Sequence, residues 1–266
     1  MKVLLLGATG NLGSRILPAL LAYKHNVIVY VRSEKKLRDV FPASILSSVS
    51  VVCGDAENAN SIRDALVEHR CDGLINASGG IAFLPWQPYK HQGIVHAVAD
   101  AAVEAAKTLG YPLRCWFIAG ATALDIPGTK GTRIATFPVL REHTVSYDYL
   151  CTKSLSEMKW SMFCPSTMLP ASPEPDFSLR PRGNTLVAGI DVPGGNWSGK
   201  WLSSIPIVGT FIGVVVNGVK LNLDTKLEDC ADLIAADLDD GLESKFIGHR
   251  VGPYDDPSGS KEGKKA

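Results

Sequence analysis

The sequence predicts an α/β fold built on a doubly wound parallel sheet, and three observations carry that reading. The chain opens on a short apolar run, Val3-Leu4-Leu5-Leu6. That run leads directly into Gly7-Ala8-Thr9-Gly10-Asn11-Leu12-Gly13, a G-x-x-G-x-x-G turn. Strand-like and helix-like segments then alternate up to about residue 165. Such alternation means parallel βαβ units with right-handed crossovers.

The elements follow in order. Strands are expected at 2–6, 26–31, 49–53, 73–76, 114–119 and 160–164. The first is too short and too apolar to lie anywhere but inside. Helices are expected at 12–23, 34–40, 58–69, 91–109 and about 140–158. In the first, Leu12, Ile16, Leu17, Leu20 and Leu21 form one apolar stripe. In the long one, Ile94, Val98, Ala101, Ala102 and Ala105 share a face, and Gly110 is the stop. After Pro165 the character changes: residues 165–207 are rich in Pro, Gly, Ser and Trp, which suits irregular structure laid over a ligand site. Thr225 precedes Glu228 by three, the spacing of a capping box, and a helix follows through Ile234. Residues 246–251 read as a last short strand. The polar, glycine-rich tail from Asp255 is expected to be disordered. This divides the chain into a core at 1–165, a covering region at 166–254 integrated in the same domain, and a tail at 255–266.

Bulk composition narrows the function. The 266 residues carry 27 Lys+Arg against 27 Asp+Glu, which gives no global reason to bind nucleic acid or anionic lipid. The six cysteines, at 53, 71, 115, 151, 164 and 230, form no C-x-x-C pair. They read as reduced, buried thiols of a cytoplasmic protein, with no metal site. No signal peptide is expected, because the N-terminus is itself the first strand. Residues 205–219 are uncharged, but the run is shorter than the ~20 residues a bilayer requires. It also holds Pro206, Gly209, Gly213, Asn217 and Gly218. A buried helix, a pocket wall or a homodimer surface is the expected role.

A strand that runs through a glycine turn into a helix N-terminus is a pyrophosphate site. The glycines admit the ligand to backbone, and the first-turn N–H groups and helix dipole favour its charge. Gly7, Thr9, Gly10, Asn11, Leu12 and Gly13 are the candidate residues. The plainer alternative is a tight βα turn that binds nothing.

The other strand ends carry Tyr30-Val31-Arg32-Ser33, Cys53-Gly54-Asp55-Ala56, Asn76-Ala77-Ser78-Gly79-Gly80, Ala119-Gly120-Ala121-Thr122 and Phe163-Cys164-Pro165-Ser166. With the glycine turn, they resemble the short-chain dehydrogenase/reductase superfamily. More narrowly the chain is similar to the atypical NmrA-like group, with biliverdin-IXβ/flavin reductase as a relative. The resemblance implies a Rossmann-type fold that binds NADP(H). Where an NAD site has an acid on the ribose 2′-OH, Arg32 offers a guanidinium for a 2′-phosphate, with Lys35 and Lys36 close behind. Asp55, followed by Ala56, stands where the family bonds the adenine amino group; an N-cap for the next helix is the plainer role. Ala77, Ser78 and Gly79 let the chain pass beside the adenosine ribose. Gly120 lies on the turn after the fifth strand, and Thr122 falls near the family's catalytic Ser/Thr. Cys164 and Pro165 lie where relatives carry residues against the nicotinamide, Cys164 replacing an arginine.

The superfamily's Tyr-x-x-x-Lys is spelled by Tyr149 and Lys153. However, Lys153 precedes Pro165 by only twelve residues, whereas in the superfamily the spacing exceeds twenty. The pair therefore reads as a surface feature. His143 and Tyr147, four apart near the helix start, are the candidate proton donors. Some NmrA-like proteins take the proton from solvent, and others bind dinucleotide without chemistry. The segment from Phe83 through Trp86 and Tyr89 to His91, with Trp197, Trp201 and 205–219, reads as an apolar pocket for a flat aromatic ligand. The resulting expectation is an NADP(H)-dependent reductase of a small aromatic or quinone-like molecule, similar to enzymes of fungal aromatic polyketide pathways. A non-catalytic redox sensor and a non-redox isomerase or cyclase are the alternatives.

Overall fold

The computed structural model describes residues 1–79, 90–128, 131, 133–134, 142–183, 185–194 and 224–255. Its six core strands are β1 (Lys2–Leu6), β2 (Asn26–Val31), β3 (Ser50–Cys53), β4 (Gly73–Asn76), β5 (Leu113–Ile118) and β6 (Met158–Phe163). They are joined by β8 (Val187–Ile190) and β10 (Arg250–Tyr254) in one sheet of order β3-β2-β1-β4-β5-β6-β10-β8. Every pairing is parallel except β10 with β8. The order reverses between β1 and β4, the switch point at which ligands of open α/β sheets lie.

Strand periodicity sorts the core into two layers. Leu4, Leu6, Ile28, Tyr30 and Leu74 face α4 (Ala59–Glu68), α5 (His91–Leu109) and α6 (Glu142–Cys151). Val3, Leu5, Val29, Ile75 and Trp116 face α1 (Gly13–Ala22), α2 (Glu34–Val40), α3 (Ala43–Leu46) and α7 (Leu227–Asp240). α5 ends at Gly110, whose φ of +80° costs glycine nothing.

Five local expectations change. α6 stops at Cys151, because Ser154 turns the chain: its hydroxyl takes the Ser156 N–H (3.3 Å) and its carbonyl the Glu157 N–H (3.1 Å). Thr225 does not cap α7. It pairs with Met168 in a small sheet of β7 (Met168–Leu169) and β9 (Thr225–Lys226), and Lys226 is the N-cap. Glu228 instead reaches Arg15 Nε at 3.4 Å and accepts the Ala171 N–H at 2.8 Å. The last strand begins only at Arg250, because turns hold Ile247 to Ser244 and His249 to Phe246. β8 was hidden in the Pro- and Gly-rich stretch: an edge strand needs no long apolar run. Finally, Cys53 and Cys151 are exposed, and only the other four thiols are buried.

Arg15 ties α1 to α7 and to the chain at 172–173 next to the glycine turn. It is 8% exposed, and its five N–H groups reach Glu228, the Asn11 carbonyl, Ser14 Oγ and the carbonyls of Ser172 and Pro173.

Candidate functional site

A crevice of about 450 Å³ opens at the carboxyl ends of β1 to β4. Leu6, Gly7, Thr9 and Gly10 form its floor, and Tyr30 through Ser33 with Lys36 one side. Gly54, Ala56 and Ala77 through Gly79 close the rest.

The glycine turn is shaped by contact distances. Gly7 has φ +83°, and a Cβ on it would sit 2.4 Å from the Ala77 carbonyl carbon. A Cβ on Gly13 would sit 2.0 Å from the Gly7 carbonyl oxygen, so glycine there lets α1 start directly against the turn. The Gly10 N–H donates to the Gly7 carbonyl at 3.0 Å. No side chain caps α1, and its first turn holds no carboxylate. Among the described residues the positive end of that helix therefore meets no capping side chain or first-turn carboxylate of its own, which suits a pyrophosphate. Thr9, Gly10 and Asn11 are exposed at the turn, while Leu12 and Gly13 are buried beneath it.

Arg32 and Lys36 stand exposed at the mouth. Ser33 is committed to capping α2 through the Lys36 N–H at 3.3 Å, and Glu34 is paired with Arg38 at 2.7 Å. Asp55 is exposed and accepts the Glu57 N–H at 3.0 Å. It is not the cap of α4: Asn58 is, accepting the Ser61 N–H at 3.1 Å. Tyr30 is a wall residue that sequence reasoning passed over. Its hydroxyl donates to the Asp55 carbonyl (3.2 Å) and shares a hydrogen bond with the Ser61 hydroxyl (2.9 Å), and burial raises its pKa. The aromatic within an apolar strand gave no separate signal. Asn76, buried behind the wall, takes the Ser78 N–H at 3.2 Å.

The remaining candidates lie at the neighbouring strand ends. The Ala121 N–H donates to the Pro165 carbonyl at 2.8 Å, which joins the turns after β5 and β6. Gly120 precedes that turn, and Thr122 sits half-buried within it. Cys164 is 1% exposed with its thiol in the core, where burial pushes its pKa up, so it presents no side chain to a ligand. His143 lies against Gly120 and edge-on to His91, with ring centroids 5.0 Å apart. Tyr147, one turn on, is turned elsewhere. The guanidinium carbons of Arg250 and Arg133 lie 4.3 and 5.1 Å from its ring centroid, and Trp160 packs edge-on against it. Burial raises its pKa to about 12, so as a proton donor it is poorly matched to neutral pH.

Tyr149 and Lys153 are likewise engaged away from the crevice. Both bond Asp100 at 2.6 Å, and Lys153 reaches the Tyr149 hydroxyl at 2.9 Å. Asp100 is nine residues into α5 from His91, about 13 Å along the axis. Tyr149→Phe and Lys153→Ala are expected to leave reductase turnover within a few-fold, whereas loss of a true acid costs about a hundredfold or more. Steady-state kinetics on folded variants check this.

Burial holds His91 at about 4, well below its ordinary 6.5, with the His143 charge adding to the shift. The unfolded chain then binds more protons below pH 6.5, so stability falls as pH drops toward 4. A shift of this size is worth on the order of 3 kcal/mol. Denaturant titrations between pH 7 and 4 are expected to show a steeper loss for wild type than for His91→Gln.

Trp86, Tyr89, Trp197, Trp201 and residues 205–219 lie outside the described residues. Among the described residues no helix is long and apolar enough to cross a membrane.

The switch-point crevice, the uncapped helix and the glycine turn together fit a protein that binds a dinucleotide. The chain matches the NAD(P)H-binding family over residues 7–192, and it belongs to that family. The likeness to atypical short-chain dehydrogenases drawn from the strand-end motifs agrees with this. No curated protein sequence matches the chain. Among solved structures it is similar to an oxidoreductase from Lactococcus lactis, 15% identical with a TM-score of 0.59, over 96% of this chain and 91% of that one. It is also similar to an anaerobillin reductase from Escherichia coli, at 16% identity and a TM-score of 0.56, over 97% and 98% of the two chains. A short-chain dehydrogenase/reductase from Veillonella parvula, in complex with NADP, is 13% identical with a TM-score of 0.57, again over 97% and 98%. At these identities the likeness is one of fold.

Proposed function

We propose that the protein is an NADPH-dependent reductase of the atypical short-chain dehydrogenase type, acting on a small aromatic or quinone-like molecule. The observation that carries the cofactor half is the crevice itself: a glycine floor with no room for a Cβ at Gly7, and Arg32 and Lys36 at its mouth. In this reading the Gly7–Gly13 turn and the α1 N-terminus take the pyrophosphate, and Arg32 and Lys36 take a 2′-phosphate. Asp55 and Ala56 flank the adenine, and Ala77 through Gly79 pass the ribose. Gly120 and Pro165 lie toward the nicotinamide, with His143 beside them and Thr122 as a nearby hydroxyl. The bound dinucleotide supplies hydride; the chain's own groups hold it and the substrate and keep water out. The redox-sensor alternative draws on one observation, the commitment of Tyr149 and Lys153 to Asp100.

Titration of NADPH and NADH separates the cofactors. Wild type is expected to favour NADPH by at least about tenfold, roughly 1.4 kcal/mol, and Arg32→Asp to erase that preference. Equal affinities in wild type would sink the assignment. NADPH oxidation in the presence of menadione tests the reductase half; binding without oxidation favours the sensor.

A further inference from the structure

Two imidazoles and two glycine turns meet where β4 and β5 end. His91 opens α5 and is 5% exposed; His143 is the second residue of α6 and 9% exposed. Their rings stand edge to face, 83° apart in plane. Each ring also presses on a turn. A Cβ on Gly79 would lie 2.6 Å from His91 Nδ1, and one on Gly120 would lie 3.0 Å from His143 Cδ2 and Nε2. Gly79 is a wall of the crevice. The His143 ring is therefore held between the Gly120 backbone and the His91 ring.

Among the described residues His143 Nδ1, which is buried, has no hydrogen-bond partner. An orphaned buried N–H is rarer than an orphaned acceptor. The proton of the neutral ring therefore belongs on Nε2, the nitrogen against Gly120. Burial lowers the pKa of both rings, against the pull of the Glu142 carboxylate on His143, so at neutral pH neither is charged. A neutral imidazole is a hydrogen-bond donor that needs no proton uptake.

We propose that His91 is a positioning residue: its ring sets the angle of His143, whose Nε2–H donates a hydrogen bond to a carbonyl or quinone oxygen of the substrate. This rests on the reductase reading above and names the group that recognises the substrate.

The test compares wild type, His91→Asn and His91→Phe. Phenylalanine restores a ring edge without a titratable nitrogen. Turnover is compared at saturating NADPH, because His91 rests on Gly79, a wall of the crevice, and either substitution can shift cofactor affinity. Turnover of menadione is expected to fall about tenfold in His91→Asn and to recover in His91→Phe, because a misplaced donor is costly even when present. Equal loss in both variants, or no loss in either, would overturn the proposal. Imidazole ¹⁵N NMR gives a readout independent of activity. His143 is expected as the neutral Nε2–H tautomer at pH 7, with its shifts moved by His91→Asn and restored by His91→Phe. An Nδ1–H tautomer, or a His143 indifferent to both changes, would overturn the proposal too. A wild type that binds NADPH but reduces no menadione counts against the reductase reading, and the NMR result then decides the histidine pair alone.

Discussion

Gly7→Ala is expected to abolish tight dinucleotide binding and to destabilise the fold, whereas Gly10→Ala is expected to lower binding with little change in stability. The difference lies in what each new methyl meets. At Gly7 it would lie 2.4 to 2.5 Å from the backbone of Ala77 and Ser78, on a residue with φ +83°. The left-handed conformation alone costs a side-chain-bearing residue roughly 1–2 kcal/mol, and the overlap forces β1 and β4 apart at the switch point. At Gly10 the methyl meets only the Gly7 carbonyl oxygen, at 3.3 Å, and otherwise projects into the crevice. Calorimetric titration with NADPH, paired with urea denaturation, separates the two effects. A Gly7→Ala protein with wild-type affinity would show that the ligand does not approach this turn.

The largest loss of stability is expected from Asp237→Ala. Asp237 receives the Arg114 guanidinium at 2.6 Å, the Trp116 indole N–H at 3.0 Å and the Ser244 hydroxyl. Arg114 is 0% and Asp237 4% exposed at the side chain. Removing the carboxylate leaves a buried guanidinium uncompensated, which costs roughly 3–5 kcal/mol. Replacing both partners, as Arg114→Met with Asp237→Leu, is expected to recover part of that loss, since no charge is left to desolvate but the Trp116 N–H and the Ser244 hydroxyl lose their acceptor. Urea midpoints of the single and double variants measure it; a single variant within 1 kcal/mol of wild type, on the order of a surface change, would contradict the buried-pair account.

The sheet and its first crossover were legible because they rest on local pattern. Val3 to Leu6 can only be an interior strand, and the glycine spacing after it marks a turn into a helix. α5 was readable to the residue, since its apolar face repeats at helical period and Gly110 supplies the stop. The register of Tyr149 and Lys153 against Pro165 was also a matter of counting. Asp100, the residue that engages them, comes from another helix and left no trace in that count.

What local pattern could not reach were groups whose partners are far along the chain. Glu228 had the spacing of a capping box but answers to Arg15, 213 residues away. Thr225 joined a strand instead of a cap because Met168 was there to pair with it. His91 looked like the end of an aromatic segment, and only the fold set its ring against His143 and Gly79. Tyr147 had the right helical spacing for a proton donor, yet the tertiary structure gave it two cations and a tryptophan. Periodicity and glycine spacing act through neighbours a few residues apart, and those the chain itself determined. A buried charge, an orphaned nitrogen or a cation over a ring depends on which surfaces meet, and that is decided only when the layers pack.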